Sequence, residues 1–368
     1  MLKWNLSDTI HLLENNHCFH IFSKENFQLF NDGFSRFESL ACYRYIFETY
    51  LKRQEKFADV SLCFVRSEKK RFIKDYLEMD RALSLKDNEI WIMLYHFFRL
   101  WNKAKSIEDE HILNIWLEFD FSRLMKTKLP EPCLFFYPLK NFNHGQEKKI
   151  RQIEQQYSRL ITPILENFSD SYTRPPIKDT IKKCIRYSSA DAAFFQIGVM
   201  LGRADSPLRI CLERFSPQDV TALLEHMEWE GDFDQIDSIL EMGVEYINPH
   251  FALDMDVGTR LHKKIGFEFS FKEKFLNPNK IGSFLNHLCE RSLCTEEKKE
   301  TLLNWTGYSW EKDGQVLIVR TINHFKFVYS EDDPIEVKAY LGLTANPVRD
   351  KYWAESANCG GLQAEARR

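Results

Sequence analysis

Two short acidic stretches, Leu117-Glu118-Phe119-Asp120 and Leu253-Asp254-Met255-Asp256, decide the fold that we predict for this chain. Each stretch alternates an apolar residue with a carboxylate. Because successive side chains of a β-strand point to opposite faces, each strand would carry its acids on one face and its apolar residues on the other. Two such strands would bring four carboxylates to one cleft: Glu118, Asp120, Asp254 and Asp256.

The elements around the two acidic strands follow the same order. Each copy is preceded by a β-like stretch and a pair of helical stretches, and is followed by a further strand and a helical stretch. We therefore predict an α+β fold made of two pseudo-repeated βααββα halves around an acidic cleft. The alternative is that two ordinary α+β segments share this order by chance.

Proline, glycine and composition shifts divide the chain into five parts. Residues 1–58 are predicted to be a helical docking segment, with a helix over about 39–56, and Pro175-Pro176 marks a linker. The remaining boundaries follow from the repeat: a first half at 59–170, the linker at 171–192, a second half ending in a β-meander at 193–344, and a disordered tail at 345–368.

One helix start is specified in detail. Ser216 is placed to be the N-cap, Pro217 the first helical residue and Asp219 the third, where a carboxylate favours the positive end of the helix dipole. We predict a helix that begins here and ends near Gly231.

Composition excludes several classes of protein. A formal net charge of -4 disfavours nucleic-acid binding, and no apolar run approaches the length of a membrane span. Nine scattered cysteines fit a reducing cytoplasm better than a disulfide scaffold, and they lack zinc-site spacing. Glycine-rich phosphate motifs are absent from the sequence. We predict a soluble cytoplasmic protein without a metal or cofactor, and nothing in the sequence indicates its oligomeric state.

The paired acids are the leading candidates for catalysis. Crowding two carboxylates raises the pKa of one and leaves the other ionised, which supplies a general acid and a general base. The alternative is that these acids only form the solvated face of a sheet.

Other polar residues are predicted to contact a substrate. Lys338, Arg209 and Glu268 alternate onto strand faces that can reach the acidic cleft, although Lys338 can equally protect a sheet edge. A role for the Cys63, Cys133 or Cys211 thiol stays open, because a free mid-strand cysteine is more typically a small buried apolar residue.

Several motifs together resemble a known family. They are LEFD at 117–120, RICLERFSPQDV at 209–220, LDMDVG at 253–258, KIGFEF at 264–269 and KFVYSEDDPIEVKAYLGL at 326–343. Over residues 60–343 the chain resembles a bacterial family linked to the maturation of ribosomally made peptides. The resemblance implies a peptide-maturation enzyme with a precursor peptide as its partner. Among such enzymes, a duplicated, cofactor-free cleft lined by acids is most similar to the cofactor-independent peptide epimerases, which implies an epimerase-like duplicated architecture. The cysteine pair of two-domain epimerases is not recognisable at helix starts here.

These observations lead to two hypotheses. The first is a metal- and cofactor-independent peptide isomerase, in which Glu118/Asp120 and Asp254/Asp256 are opposed acid and base groups. The alternative is a non-catalytic protein that recognises a precursor peptide by adding its strand to a sheet edge.

Overall fold

The computed structural model describes most of the chain, with gaps in several loops and at both ends. The described residues are 4–15, 21–34, 42, 44–83, 88–120, 130–138, 151, 153–188, 192–201, 203, 207–271, 278–331 and 335–347.

The described strands form one antiparallel sheet. In chain order they are β1 Arg44–Tyr50, β2 Asp59–Val65, β3 Ile112–Phe119, β4 Cys133–Pro138, β5 Ala193–Val199, β6 Leu208–Phe215, β7 Phe251–Val257, β8 Leu261–Phe269, β9 Gly307–Glu311, β10 Val316–Tyr329 and β11 Glu336–Pro347. From β1 to β8, consecutive strands pair, β8 pairs with β10, β10 with β11, and β11 with β1. The sheet is therefore a closed ring of ten strands, and β9 is attached to β10 outside the ring.

Helices alternate with the strand hairpins along the chain. The described α-helices are Leu6–Asn15, Lys24–Phe34, Lys69–Leu83, Glu89–Asn102, Ile107–His111, Thr162–Glu166, Pro175–Arg186, Pro217–His226, Phe233–Tyr246, Pro278–Glu290 and Glu296–Leu303. None of these described helices is both long and apolar enough to cross a membrane. The helix at Pro217 starts as predicted, because Ser216 and Asp219 form a reciprocal capping box.

The apolar core lies between the helices and the outer face of the barrel. Leu117 and Leu253 point outward from their strands and pack in the same core as Trp91 and Phe284 from the helices. Because side chains alternate along a strand, Glu118 and the other acids between these apolar residues point into the barrel. The polar face of each strand therefore lines the lumen.

The predicted pair of βααββα halves around a cleft is wrong. β4 pairs with β5, and β11 pairs with β1, so the segments assigned to the two halves belong to one closed barrel. Among the described elements, helices followed by a strand pair occur five times, and the sequence pattern predicted only two of these units. Strand alternation alone does not distinguish a cleft from the interior of a barrel, since both place polar residues on one face.

Three local predictions also change. The helix expected over about 39–56 is wrong, because Arg44–Tyr50 is strand β1 and nearly all its side chains are buried, which hides the two-residue period. Pro175 and Pro176 do not break the chain but occupy the first turn of a helix, where proline is tolerated. The predicted tail begins within β11, which ends at Pro347, and its residues 348–368 lie outside the described part of the chain.

Candidate functional site in the barrel lumen

A cavity of about 540 Å³ occupies the interior of the barrel. Its walls are unusually rich in charge for a protein interior. The acidic lining residues are Glu48, Glu55, Asp59, Glu118, Asp120, Asp254 and Asp256, and the basic ones are Arg53, Arg203, Arg209, Lys264, Lys326 and Lys338. Charges at such sites are stable only when they are paired or hydrogen-bonded, so the pairing pattern shows which groups can receive a ligand.

Arg209 and Asp256 form a two-pronged ion pair on neighbouring strands. Arg209 Nε donates to Asp256 Oδ1 at 2.8 Å and Nη2 donates to Oδ2 at 3.0 Å. Burial opposes ionisation of both groups, but each partner stabilises the charge of the other, so the pKa of Arg209 is raised and that of Asp256 is lowered. This fork uses Nε and Nη2 and leaves the Nη1 donors for a ligand.

Arg203, in the loop between β5 and β6, pairs with Glu118 of β3 and with Asp120, the residue that follows β3. Its Nε donates to Asp120 Oδ2 at 3.0 Å, and its Nη2 donates to Asp120 Oδ1 and to Glu118 Oε1, both at 3.1 Å. Burial, followed by the nearby Glu48 carboxylate, raises the pKa of Glu118 to about 7. Glu118 can therefore hold or release a proton near neutral pH.

Lys326 joins a second pair of carboxylates deeper in the wall. Its ammonium donates to Asp254 Oδ2 and, at 3.3 Å, to Glu268 Oε1. Burial and the Asp254 charge raise the pKa of Glu268 to about 8. Burial also opposes the ionisation of Asp254, but Lys326, Arg209 and the Cys211 thiol together lower the pKa of Asp254. At neutral pH, Asp254 is thus ionised and Glu268 protonated.

Asp254 and Glu268, together with the nearby Cys211, offer sulfur and oxygen atoms that could bind a metal ion. Atoms of Cys211, Asp254 and Glu268 lie within 4.8 Å of one another. The Lys326 ammonium already contacts both carboxylates and balances their charge. The expected absence of a metal stays a prediction.

Lys338, Tyr50 and Glu48 form a third group in the cavity lining. Lys338 donates to Glu48 Oε1, and its ammonium also lies 4.2 Å from the centre of the Tyr50 ring. Although burial raises it, the pKa of Glu48 falls to about 2 because of Lys338. Tyr340 lines the cavity beside them, and His324 stacks behind it with 4.0 Å between ring centres.

Lys264 on β8 is different from the other lysines of the cavity. Its side chain is exposed to the cavity and, within the described part of the chain, makes no ion pair. Burial, followed by Lys338, Arg209 and Arg203, lowers its pKa. Lys264, Lys338, Arg209 and Arg203 therefore place four positive charges in one part of the cavity. Among the described residues, Lys264 is the one of these four that has no carboxylate partner. This arrangement favours an anionic ligand.

The structure brings most of the predicted site residues together. Six of them line the cavity, namely Glu118, Asp120, Asp254, Asp256, Arg209 and Lys338, and Glu268 contacts Lys326 behind the wall. Their roles in catalysis or substrate binding stay predictions. β3 and β7 are separated by three strands, so the acids face one cavity from different parts of the ring.

Sequence reasoning missed several charged residues of this site, among them Glu48, Arg203, Lys264 and Lys326. Lys264, Gly266 and Glu268 alternate along β8, and this alternation is the signal that identifies Lys264. The buried mid-strand Cys63 and Cys211 have raised thiol pKa values, because burial disfavours the thiolate, which does not favour a nucleophilic role.

Comparisons with known proteins support the fold only. No protein-family model and no curated protein sequence matches the chain. The crystal structure of PriB, in a binary complex with product diphosphate, is similar with a TM-score of 0.54 at 10% identity, over 90% of this chain and 95% of PriB. AnaPT from Neosartorya fischeri gives a TM-score of 0.44 at 11% identity, over 82% of this chain and 77% of AnaPT.

The likeness to PriB shows that this chain has a barrel of the ABBA prenyltransferase-like fold. It does not support the epimerase hypothesis, and it does not favour the non-catalytic recognition protein.

Proposed function

We propose that this protein is a prenyltransferase that binds a prenyl diphosphate in its lumen and transfers the prenyl group to an acceptor. The observation that carries the proposal is the cationic group Lys264, Lys338, Arg209 and Arg203 on the cavity wall. The fold adds support, since PriB, which shares it, was solved with product diphosphate. We further propose a ribosomally made precursor peptide as the acceptor, on the sequence resemblance.

The charge pattern suits the departure of a diphosphate. When the C1–O bond of the donor breaks, its electron pair leaves on the diphosphate oxygen. Cationic donors fixed in advance in a cavity stabilise that developing charge. Lys264 offers its three N–H donors and Arg209 offers Nη1, whereas Nε and Nη2 of Arg209 each donate to Asp256.

The acceptor must lose a proton as its bond to C1 forms. Glu118 is the carboxylate best suited to receive it, because its pKa of about 7 lies near the pH at which a general base works efficiently. The Arg203 guanidinium holds Glu118 in place through a 3.1 Å hydrogen bond.

Calorimetric titration with inorganic diphosphate and with a non-hydrolysable prenyl thiolodiphosphate tests this proposal. Lys264→Gln is expected to weaken both ligands at least about tenfold, since a hydrogen bond to a charged group contributes about 1.5–3 kcal/mol and about 1.4 kcal/mol is tenfold in affinity. Lys263→Gln is the matched control, because Lys263 pairs with Glu331 at 2.6 Å outside the cavity. Wild-type protein that binds neither ligand, or equal affinities in both variants, would overturn the proposal.

A further inference from the structure

The loop between β1 and β2, residues 51–58, lies between the cavity and solvent, and we call it the rim loop. Three of its side chains line the cavity, namely Arg53, Glu55 and Phe57. The side chains between them, Gln54 and Lys56, do not line the cavity, and all five are exposed. A segment that presents one set of side chains to the cavity and the next set to bulk water lies at an opening of the cavity.

Phe57 gives the rim loop an apolar contact surface. Of the large apolar side chains that are exposed in the described part of the chain, Phe57, at 38% exposure, is the one that lines the cavity. Leu29 also lines the cavity, and it lies one helical turn after Asn26, whose Oδ1 accepts from Ala58 N at 3.2 Å. Leu29 and Phe57 therefore form an apolar pair at this opening.

The backbone of the rim loop is fixed by contacts from two helical segments. Lys298, in the helix Glu296–Leu303, donates to the carbonyl oxygens of Tyr50 and, at 3.0 Å, of Glu55, although its side chain is almost fully buried. Before the helix Lys24–Phe34, Ser23 N donates to Lys56 O at 2.7 Å. A loop that is already ordered loses little conformational entropy when its side chains bind a partner, so this loop is preorganised for binding.

A peptide acceptor must extend out of the cavity. The cavity volume of about 540 Å³ lies in the range of pockets that enclose one drug-sized ligand. Once a prenyl diphosphate is bound, the remaining space suits an acceptor side chain and excludes a length of peptide backbone. The residues before and after the modified one therefore lie at an opening, and within the described part of the chain the rim loop is placed to contact them.

We infer that the rim loop is the docking surface for the acceptor peptide, and that Phe57 and Leu29 bind an apolar side chain next to the residue that receives the prenyl group. This inference rests on the proposed prenyl transfer to a peptide. The occupant is apolar because the exposed pair offers apolar area, whose removal from water is favourable.

The charges of the rim loop do not favour a peptide of one sign. Arg53 and Glu55 carry opposite charges and both line the cavity. Arg53 is also held in place, because its Nε donates to Glu336 Oε1 at 2.9 Å and its guanidinium lies 3.5 Å from the centre of the Tyr50 ring. The apolar pair is therefore the part of this opening that can select the neighbouring residue of the peptide.

Capped tripeptides test the inference. The central residue is serine, cysteine, tyrosine, tryptophan, histidine, lysine or arginine, and it is flanked by two leucines or by two glycines. Mass spectrometry after incubation with dimethylallyl diphosphate identifies the central residue that gains the prenyl group. Calorimetry in the presence of the thiolodiphosphate then compares the two tripeptides with that residue. We expect the leucine-flanked tripeptide to bind at least about tenfold more tightly, because docking removes a leucine side chain from water.

Two results with the wild type would overturn the inference while the proposed binding of a diphosphate stands. One is equal affinity for the leucine-flanked and glycine-flanked tripeptides. The other is binding of the thiolodiphosphate with no binding of any tripeptide. Wild-type protein that does not bind the thiolodiphosphate would overturn the proposed function, and this inference with it.

Variants of Phe57 separate the rim loop from the rest of the cavity. Phe57→Ala is expected to remove most of the preference for leucine and leave diphosphate affinity unchanged, whereas Phe57→Leu should keep much of that preference. Tyr308→Ala is the matched control, because Tyr308 is an aromatic side chain that is 72% exposed and lies outside the cavity lining. A leucine preference that survives in Phe57→Ala would overturn the inference. So would a wild-type dimer that Phe57→Ala dissociates in analytical ultracentrifugation, since a second copy would then cover this surface.

Discussion

Glu118 on β3 and Lys264 on β8 face one cavity from strands that lie half a ring apart. Glu118 shares the Arg203 guanidinium with Asp120, whereas Lys264 makes no ion pair within the described part of the chain. A ligand in the cavity would therefore meet a carboxyl group on one wall and a lysine ammonium on the other. Under the proposed function, the Lys264 wall binds the diphosphate of the donor and Glu118 receives the proton of the acceptor.

Lys326→Met is expected to lower the free energy of unfolding by about 3–5 kcal/mol, because it leaves the Asp254 charge buried without its cation. Denaturation by urea measures the loss. Adding Asp254→Asn to the variant should recover much of that stability, since the uncompensated charge is then absent. If Lys326→Met is as stable as Lys263→Met at the surface, the charge relation described for this wall is incorrect.

Glu268→Gln is expected to become more stable relative to the wild type as the pH rises. The pKa of Glu268 is raised from 4.5 to about 8, so the folded protein holds a proton that the unfolded chain has already lost. The protonated Glu268 carboxyl therefore contributes fully to stability below the unfolded pKa of 4.5, and this contribution is lost as the pH rises from there through the folded pKa of about 8. The difference between variant and wild type should grow by at least about 1 kcal/mol, because one pKa unit corresponds to about 1.36 kcal/mol. Stability curves that stay parallel from acid to alkaline pH would contradict the assignment.

Gly266→Ala is expected to destabilise the protein by about 1–3 kcal/mol. A Cβ atom at residue 266 would lie 2.5 Å from Lys326 Cε and 3.3 Å from Asp254 Cβ, so Lys326 would have to leave its ion pair. Gly282→Ala is the control, because its new Cβ would lie 4.0 Å from Leu303 Cδ2, its nearest neighbour, and alanine favours the helix. Thermal unfolding should move down in the first variant and up in the second; equal shifts would argue against close packing around Lys326.

The sequence predicted which residues face the interior of the protein more accurately than it predicted the overall fold. The alternation at Glu118 and Asp254 is local, so it correctly placed carboxylates on a common interior. Closure of the barrel depends on pairs such as Lys338 with Tyr50, which are nearly the whole chain apart. Patterns within a short window contain no information about such pairs, and the five-fold alternation was therefore interpreted as a two-fold repeat.

Physical reasons explain why the sequence did not reveal the other charged residues of the cavity. Glu48 lies in a strand whose other side chains are almost all buried, so its apolar spacing also fits a helix. Arg203 lies in a loop, where no periodicity applies, and only its contacts with Glu118 and Asp120 reveal its role. Lys326 has a buried ammonium because it pairs with Asp254, and that pairing requires the barrel to be closed.

The most direct measurement of the central claim is a crystal structure with a bound prenyl thiolodiphosphate, in which anomalous scattering locates the sulfur and phosphorus atoms. We predict peaks inside the barrel, with diphosphate oxygens within hydrogen-bond distance of Lys264 Nζ and Arg209 Nη1 and the prenyl carbon directed towards Glu118. Peaks outside the barrel, or a diphosphate bound in the lumen away from Lys264, would contradict the account.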